Sequence, residues 1–104
     1  NKKSNIVPLT LPVENALKLL QPSLQRKGIG IIQDLKIAPE IMVYQNEVMQ
    51  VILNILKNSE FNFMEKKTLD PKIAIKTFFR HSHAVISICD NGGGIADEIA
   101  ANIF

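Results

Sequence analysis

Residues 45 to about 64 constrain the fold most, because they form the longest stretch with helical periodicity in the chain. The apolar positions of this predicted helix are Val48, Met49, Val51, Ile52, Leu53, Ile55 and Leu56. Together they cover nearly the whole circumference of a helix, and such a helix has to be buried over most of its surface. We therefore expect other elements to pack around it.

The remaining segments predict one layer of helices and one layer of strands. Apolar steps of three and four residues indicate helices, and short apolar runs bounded by Gly, Pro or polar turns indicate strands. In chain order we expect a helix at 11–25, strands at 29–37 and 41–44, the long helix, strands at 72–80 and 84–90, and a helix at 96–103. This order predicts an α+β fold, a two-layer sandwich with helices on one face of a mixed sheet.

Two features refine this assignment. Pro22 lies late in the first helix, where it predicts a kink or an early end. The polar connection His81-Ser82-His83 predicts that strands 72–80 and 84–90 form an antiparallel hairpin with both histidines in a solvated turn.

Length and composition exclude several classes of protein. The chain has 104 residues, which suffices for one domain, and its net charge of +2 is too small to imply nucleic acid or an anionic membrane as a partner. A single cysteine, Cys89, excludes an internal disulfide and a CxxC metal site, so we expect a cytoplasmic protein and a buried Cys89. No apolar run approaches the ~20 residues of a membrane-spanning helix.

A line of polar residues interrupts the long apolar helix. Glu47, Gln50, Asn54 and Asn58 follow one another at three- or four-residue steps and share a face, which continues to Phe61 or Asn62. A solvated helix face is one interpretation, but asparagine is unfavourable in a helix interior, so two of them one turn apart need a reason. A carboxamide oxygen suits Mg²⁺ and does not repel phosphate, which makes a nucleotide site an attractive alternative.

The strand ending at Asp90 runs into the glycines Gly92, Gly93 and Gly94. Ile86, Ile88 and Asp90 alternate onto one face, so Asp90 is expected at the edge of the core, where its carboxylate needs hydrogen-bond donors. An amine of a bound ligand is one candidate. A tight hairpin turn is the alternative for this loop, but residues 96–101 look helical and argue against a following strand.

Two motifs taken together resemble a known family. Asn54-Ile55-Leu56-Lys57-Asn58-Ser59, followed about thirty residues later by Asp90-Asn91-Gly92-Gly93-Gly94-Ile95, resembles the N box and first glycine box of the ATP-binding domain of sensor histidine kinases. These domains belong to the GHKL ATPase superfamily with its Bergerat-type fold. The resemblance extends over nearly the whole chain, so residues 1–104 are interpreted as the N-terminal portion of such a domain.

The resemblance implies a role for each matching residue. Asn58 would coordinate Mg²⁺ at the ATP phosphates with Asn54 supporting it, and Asp90 would accept a hydrogen bond from the adenine amino group. Gly92 and Gly94 would let the backbone approach the base, and Ile95 would lie near the adenine pocket. Lys57, Lys66 and Lys67 remain candidates for a phosphate-binding cation. Hydrolytic relatives carry a glutamate where Asn54 stands, so the resemblance implies phosphoryl transfer and not hydrolysis.

The implied function is two-component signal transduction. The parent protein would use Mg-ATP to phosphorylate a histidine in a separate dimerisation domain and then pass the phosphoryl group to a response regulator. Two alternatives stay open: a nucleotide-independent interaction scaffold of the same fold, and a serine kinase of the anti-sigma-factor type. Because the family continues beyond residue 104 into a lid and a second glycine box, we expect these residues alone to bind ATP weakly, to be inactive, and to cover exposed apolar surface by dimerisation.

Overall fold

The computed structural model describes residues 5–36, 40–93 and 96–102. In chain order the elements are β1 (Asn5–Pro8), α1 (Thr10–Arg26), β2 (Gly30–Leu35), β3 (Glu40–Val43), α2 (Gln45–Lys66), β4 (Lys72–Arg80), β5 (His83–Asp90) and β6 (Asp97–Asn102). Strands β2, β4, β5 and β6 form one sheet in that order, while β1 and β3 pair antiparallel in a separate ribbon. In the four-stranded sheet β2 and β4 are parallel and the other pairs are antiparallel. The predicted α+β fold with a mixed sheet is confirmed.

The hydrophobic core lies between the two helices and one face of the sheet. Alternate residues of β4 and β5 point to this face, since side chains along a strand alternate between its two sides. The core residues of these four elements include Val13, Leu17 and Leu24 of α1, Ile52, Leu56 and Phe63 of α2, and Ile73, Ile75, Ile86 and Ile88 of the sheet. The opposite face carries exposed side chains such as Ile32, Lys76 and Cys89, so both helices lie on one side of the sheet.

The prediction of a helix at 96–103 is wrong. Residues Asp97–Asn102 form β6, which pairs antiparallel with β5 and places Ile99 opposite Ile86. A helix of this length is marginal in water, whereas a strand here satisfies the free edge of β5 and packs Ile99 against the core. Residues 103 and 104 lie outside the described residues. Strands β5 and β6 therefore form an antiparallel pair on either side of the glycine loop, as the hairpin alternative predicts.

Three smaller expectations also need correction. Cys89 is exposed, because Ile88 and Asp90 occupy the core face and the residue between them points to the open face. Helix α1 continues through Pro22 to Arg26 and does not end early. Helix α2 is buried on one side only, since Val51, Phe61 and Met64 are exposed.

The hairpin of β4 and β5 agrees with the prediction. Its strands are antiparallel over Ile73 to Arg80, and both His81 and His83 are exposed, but only His81 lies in the turn, because His83 is the first residue of β5 and pairs with Arg80. His81 has a φ of 56°, which suits a tight turn.

On the open face an exposed ion pair ties β6 to β4. Arg80 donates hydrogen bonds of 2.6 and 3.3 Å to Glu98, and its guanidinium carbon lies 5.7 Å from the centre of the Phe78 ring. These bonds lower the pKa of the Glu98 carboxyl and raise the pKa of Arg80.

In the residues that the structure describes, neither helix is long and apolar enough to cross a bilayer.

Candidate functional site

The candidate site is centred on Asp90, the last residue of β5. Because Asp90 shares its face with Ile86 and Ile88, its carboxylate points toward α2 at the edge of the core. The hydroxyl of Ser59 donates to Oδ2 at 2.8 Å, and the backbone N–H of Gly92 donates to Oδ1 at 2.9 Å. The expectation that this carboxylate meets hydrogen-bond donors is confirmed, and both donors belong to the protein itself.

Gly92 occupies a space that is tight for any side chain. A Cβ atom at this position would lie 3.1 Å from Oδ1 of Asp90 and 3.4 Å from the ring of Phe63. The close approach at Gly92 is therefore to Asp90 and to α2, which brings the loop over the end of the helix. Gly93 follows with a φ of 90°, a conformation that favours glycine. Gly94 and Ile95 lie outside the described residues.

Asn91 fixes the start of the glycine loop against β4. Its side-chain oxygen accepts a hydrogen bond of 2.8 Å from the N–H of Lys72, and its amide donates to the carbonyl of Asp70 at 2.9 Å. Its own N–H donates to the carbonyl of Lys72 at 3.1 Å. These three bonds hold the loop where Gly92 can reach the Asp90 carboxylate.

The two asparagines of the polar stripe lie one turn apart on the exposed side of α2. The amide of Gln50 donates to Oδ1 of Asn54 at 3.3 Å. Asn58 is exposed and has no hydrogen-bond partner among the described residues, so its carboxamide oxygen is available. Ser59, which bonds to the Asp90 carboxylate, directly follows Asn58, so both residues belong to the same turn of α2, with Asn58 on its exposed side and Ser59 on its buried side.

The three lysine candidates lie in different places. The ammonium of Lys66 is 3.5 Å from the carbonyl oxygen of Gly92 and so lies at the glycine loop. Lys57 lines a groove of about 630 Å³ between α1 and α2, together with Glu60 and Phe61. Lys67 ends α2 in the left-handed conformation and is exposed. Among these three lysines, only Lys66 contacts the glycine loop in the part of the chain that the structure describes.

Ser59 and Asn91 lie within the two sequence motifs, but no role in the site was predicted for either. The only signal for Ser59 was a serine at a buried position of an apolar helix, where a hydroxyl needs a partner. For Asn91 the signal was an asparagine directly after a strand, because such side chains often bond to nearby backbone groups.

Within the described residues, no group of three His, Cys, Asp or Glu side chains could hold a metal ion. A magnesium ion that takes one or two protein ligands and completes its shell with water and phosphate does not need such a group. The asparagine stripe therefore remains the candidate metal position.

Solved structures share this fold at low sequence identity. The histidine kinase AdeS of Acinetobacter baumannii matches with a TM-score of 0.73 and 18% identity over 93% of this chain. The nucleotide-free catalytic domain of histidine kinase ThkA matches with a TM-score of 0.74 and 15% identity over 89% of this chain. This chain has the fold of histidine kinase catalytic domains. It spans 46% of the AdeS chain and 62% of the ThkA catalytic domain.

Two further matches are complexes of such kinases. Full-length ShkA in complex with AMPPNP matches with a TM-score of 0.70 and 18% identity over 91% of this chain and 20% of its own. ThkA in complex with the response regulator TrrA matches with a TM-score of 0.70 and 14% identity over 84% of this chain and 25% of its own. No protein-family model and no curated protein matches the sequence. The family resemblance is thus confirmed at the level of the fold, and the roles of the site residues stay predictions.

Proposed function

We propose that this chain is the ATP-binding part of a histidine kinase that phosphorylates a histidine in a separate domain. One observation carries the proposal most: the Asp90 carboxylate lies 2.8 Å from Ser59, directly beside the exposed Asn58, in a fold shared with histidine kinase catalytic domains. The N box and the first glycine box are thereby neighbours in space, although Ser59 and Asp90 lie 31 positions apart in the sequence. The proposed nucleotide would contact both motifs.

Asp90 is the proposed acceptor for the amino group of adenine. An ionised carboxylate offers about four acceptor positions, and donors in the described residues fill two of them. The side chain is half-buried, so the remaining acceptor positions can be reached from solvent. Because the nearby protein interior has a lower dielectric constant than water, a hydrogen bond formed there is stronger than in water. An amine fits this position, whereas a carbonyl oxygen would face the negative charge.

Asn58 is the proposed ligand of Mg²⁺, with Asn54 supporting it from one turn away. The donor set fits this ion, because a neutral carboxamide oxygen is a hard ligand that adds no negative charge to repel the phosphates. When bound, Mg²⁺ would neutralise negative charge as the phosphoryl group moves. Asn54 cannot accept a proton as a general base, which favours transfer to another group over activation of water.

The proposed reaction breaks the bond between the γ-phosphorus of ATP and its bridging oxygen, which leaves with ADP. A bond forms between that phosphorus and a nitrogen of the accepting imidazole, whose proton passes to solvent. The phosphoryl group would then move to an aspartate of a response regulator. The matched complex of ThkA with the response regulator TrrA supports this choice of partner.

The chemical stability of a transferred label tests this function. The complete gene product that contains these residues should be incubated with Mg²⁺ and ATP radiolabelled in the γ-phosphate. We expect protein-bound label that is lost in acid and kept in alkali, as for a phosphorylated histidine. Label that is stable in acid would identify a serine kinase instead. Absence of both label and nucleotide binding would indicate the interaction scaffold.

A further inference from the structure

Ser59 is a buried hydroxyl in the middle of an otherwise apolar helix face. The residue is 6% exposed, and its neighbours on this side of α2 include the fully buried Leu56 and Phe63. A serine in a helix interior usually bonds back to the carbonyl four residues earlier or faces solvent. Ser59 does neither, since its hydroxyl donates to Oδ2 of Asp90 at 2.8 Å. The sequence thus places a hydroxyl where alanine would be the better helix former.

The bond from Ser59 determines how the Asp90 carboxylate is presented. The N–H of Gly92 holds Oδ1 at 2.9 Å, while the Ser59 hydroxyl holds Oδ2. One donor on each oxygen fixes the rotation of the carboxylate plane about the Cβ–Cγ bond. Without Ser59 only the Oδ1 atom would be held, and that plane could turn.

We propose that Ser59 is a positioning residue that fixes the Asp90 carboxylate for recognition of the 6-amino group of a purine nucleotide. This inference rests on the proposed function, because it assumes that Asp90 meets the base of ATP. It adds a residue that acts through Asp90, and so its effect should depend on the presence of that amino group in the ligand.

A second hydroxyl–carboxylate pair, with Ser23 on α1 and Glu60 on α2, lies outside the site and provides a matched control. The Ser23 hydroxyl of α1 donates to Oε2 of Glu60 at 2.8 Å, and Lys27 lies 3.4 Å from the same oxygen. This pair joins α1 to α2 along the groove between them. Replacing Ser23 by alanine therefore removes a bond of the same kind and length without touching Asp90.

Nucleotide affinities of the complete gene product test the proposal, with AMPPNP and a purine analogue of it that lacks the 6-amino group as probes. We expect Ser59→Ala to weaken AMPPNP binding by about fivefold to tenfold, which lies within the range for the net contribution of one ordinary hydrogen bond. The same variant should change binding of the analogue by less than about twofold. Ser59→Thr keeps the hydroxyl and should retain wild-type selectivity, and Ser23→Ala should bind both probes as the wild type does.

Equal weakening of both probes by Ser59→Ala would overturn the proposal and leave Ser59 a purely structural role. Unchanged affinity for AMPPNP would overturn it as well. If the alanine variant does not fold, Ser59→Cys serves in its place, because a thiol fills the space but donates weakly. A wild-type protein that binds neither probe would overturn the proposed function and this inference together. If the wild type binds AMPPNP and Ser59→Ala binds it equally well, only this inference is overturned.

Discussion

Replacing Asp90 by asparagine is expected to lower the affinity for ATP at least about tenfold. Asparagine keeps the shape of the side chain but has one acceptor oxygen in place of two. The Ser59 hydroxyl and the Gly92 N–H, at 2.8 and 2.9 Å, already need an acceptor each. An amide nitrogen in place of Oδ1 would face the N–H of Gly92, donor against donor, and one in place of Oδ2 could donate to the Ser59 oxygen but would offer the amino group of the base no acceptor at that position.

Calorimetric titration of the complete gene product with AMPPNP measures this effect. Asp34→Asn is the matched control, because Asp34 is an exposed residue of β2 that points away from the helices and has no partner among the described residues. Its affinity should equal that of the wild type. An Asp90→Asn variant that binds AMPPNP normally would mean that this carboxylate does not recognise the base.

Replacing Phe63 by alanine is expected to lower the free energy of unfolding by about 3–5 kcal/mol. Phe63 is 1% exposed and packs in the core between α2 and the sheet, and its ring also lies under Gly92. Loss of the ring removes buried apolar surface and leaves a cavity. Since a domain of this size has a stability of about 5–15 kcal/mol, the change is a large share of the total.

Phe61 provides the control for this experiment, two residues away on the same helix. It is 64% exposed, so Phe61→Ala should change the free energy of unfolding by less than about 0.5 kcal/mol. Urea unfolding of the 104-residue chain, followed by circular dichroism, measures both variants. Similar effects at the two positions would contradict the assignment of Phe63 to the core and of Phe61 to the surface.

Local sequence patterns predicted most of the fold, and the failures lie where distant residues decide. The periodicity of α2 located the helix from Gln45 to Lys66 closely, and strand alternation located β4 and β5. Strand β1 was not predicted, and its four residues are held by antiparallel pairing with β3. Strand β6 forms because β5 offers a free edge, which outweighs the helical propensity of an alanine-rich segment.

The candidate site was predictable to a similar extent. Alternation along β5 placed Asp90 on the core face, and the polar stripe placed Asn54 and Asn58 together. The bond from Ser59 could not be predicted, since it joins residues 31 positions apart and a serine in a helix has several other uses. Cys89 was misplaced although the same alternation that places Asp90 inside puts Cys89 outside.

The most direct test of the proposed function is a titration of the complete gene product with AMPPNP, with and without Mg²⁺. We expect binding to be at least about tenfold tighter with Mg²⁺, and Asn58→Ala to remove that difference. Asn46→Ala, at an exposed position in the first turn of α2 and about 18 Å along the helix axis from Asn58, should keep it. No binding under either condition, or a Mg²⁺ effect that survives in Asn58→Ala, would contradict a magnesium–nucleotide site on this helix.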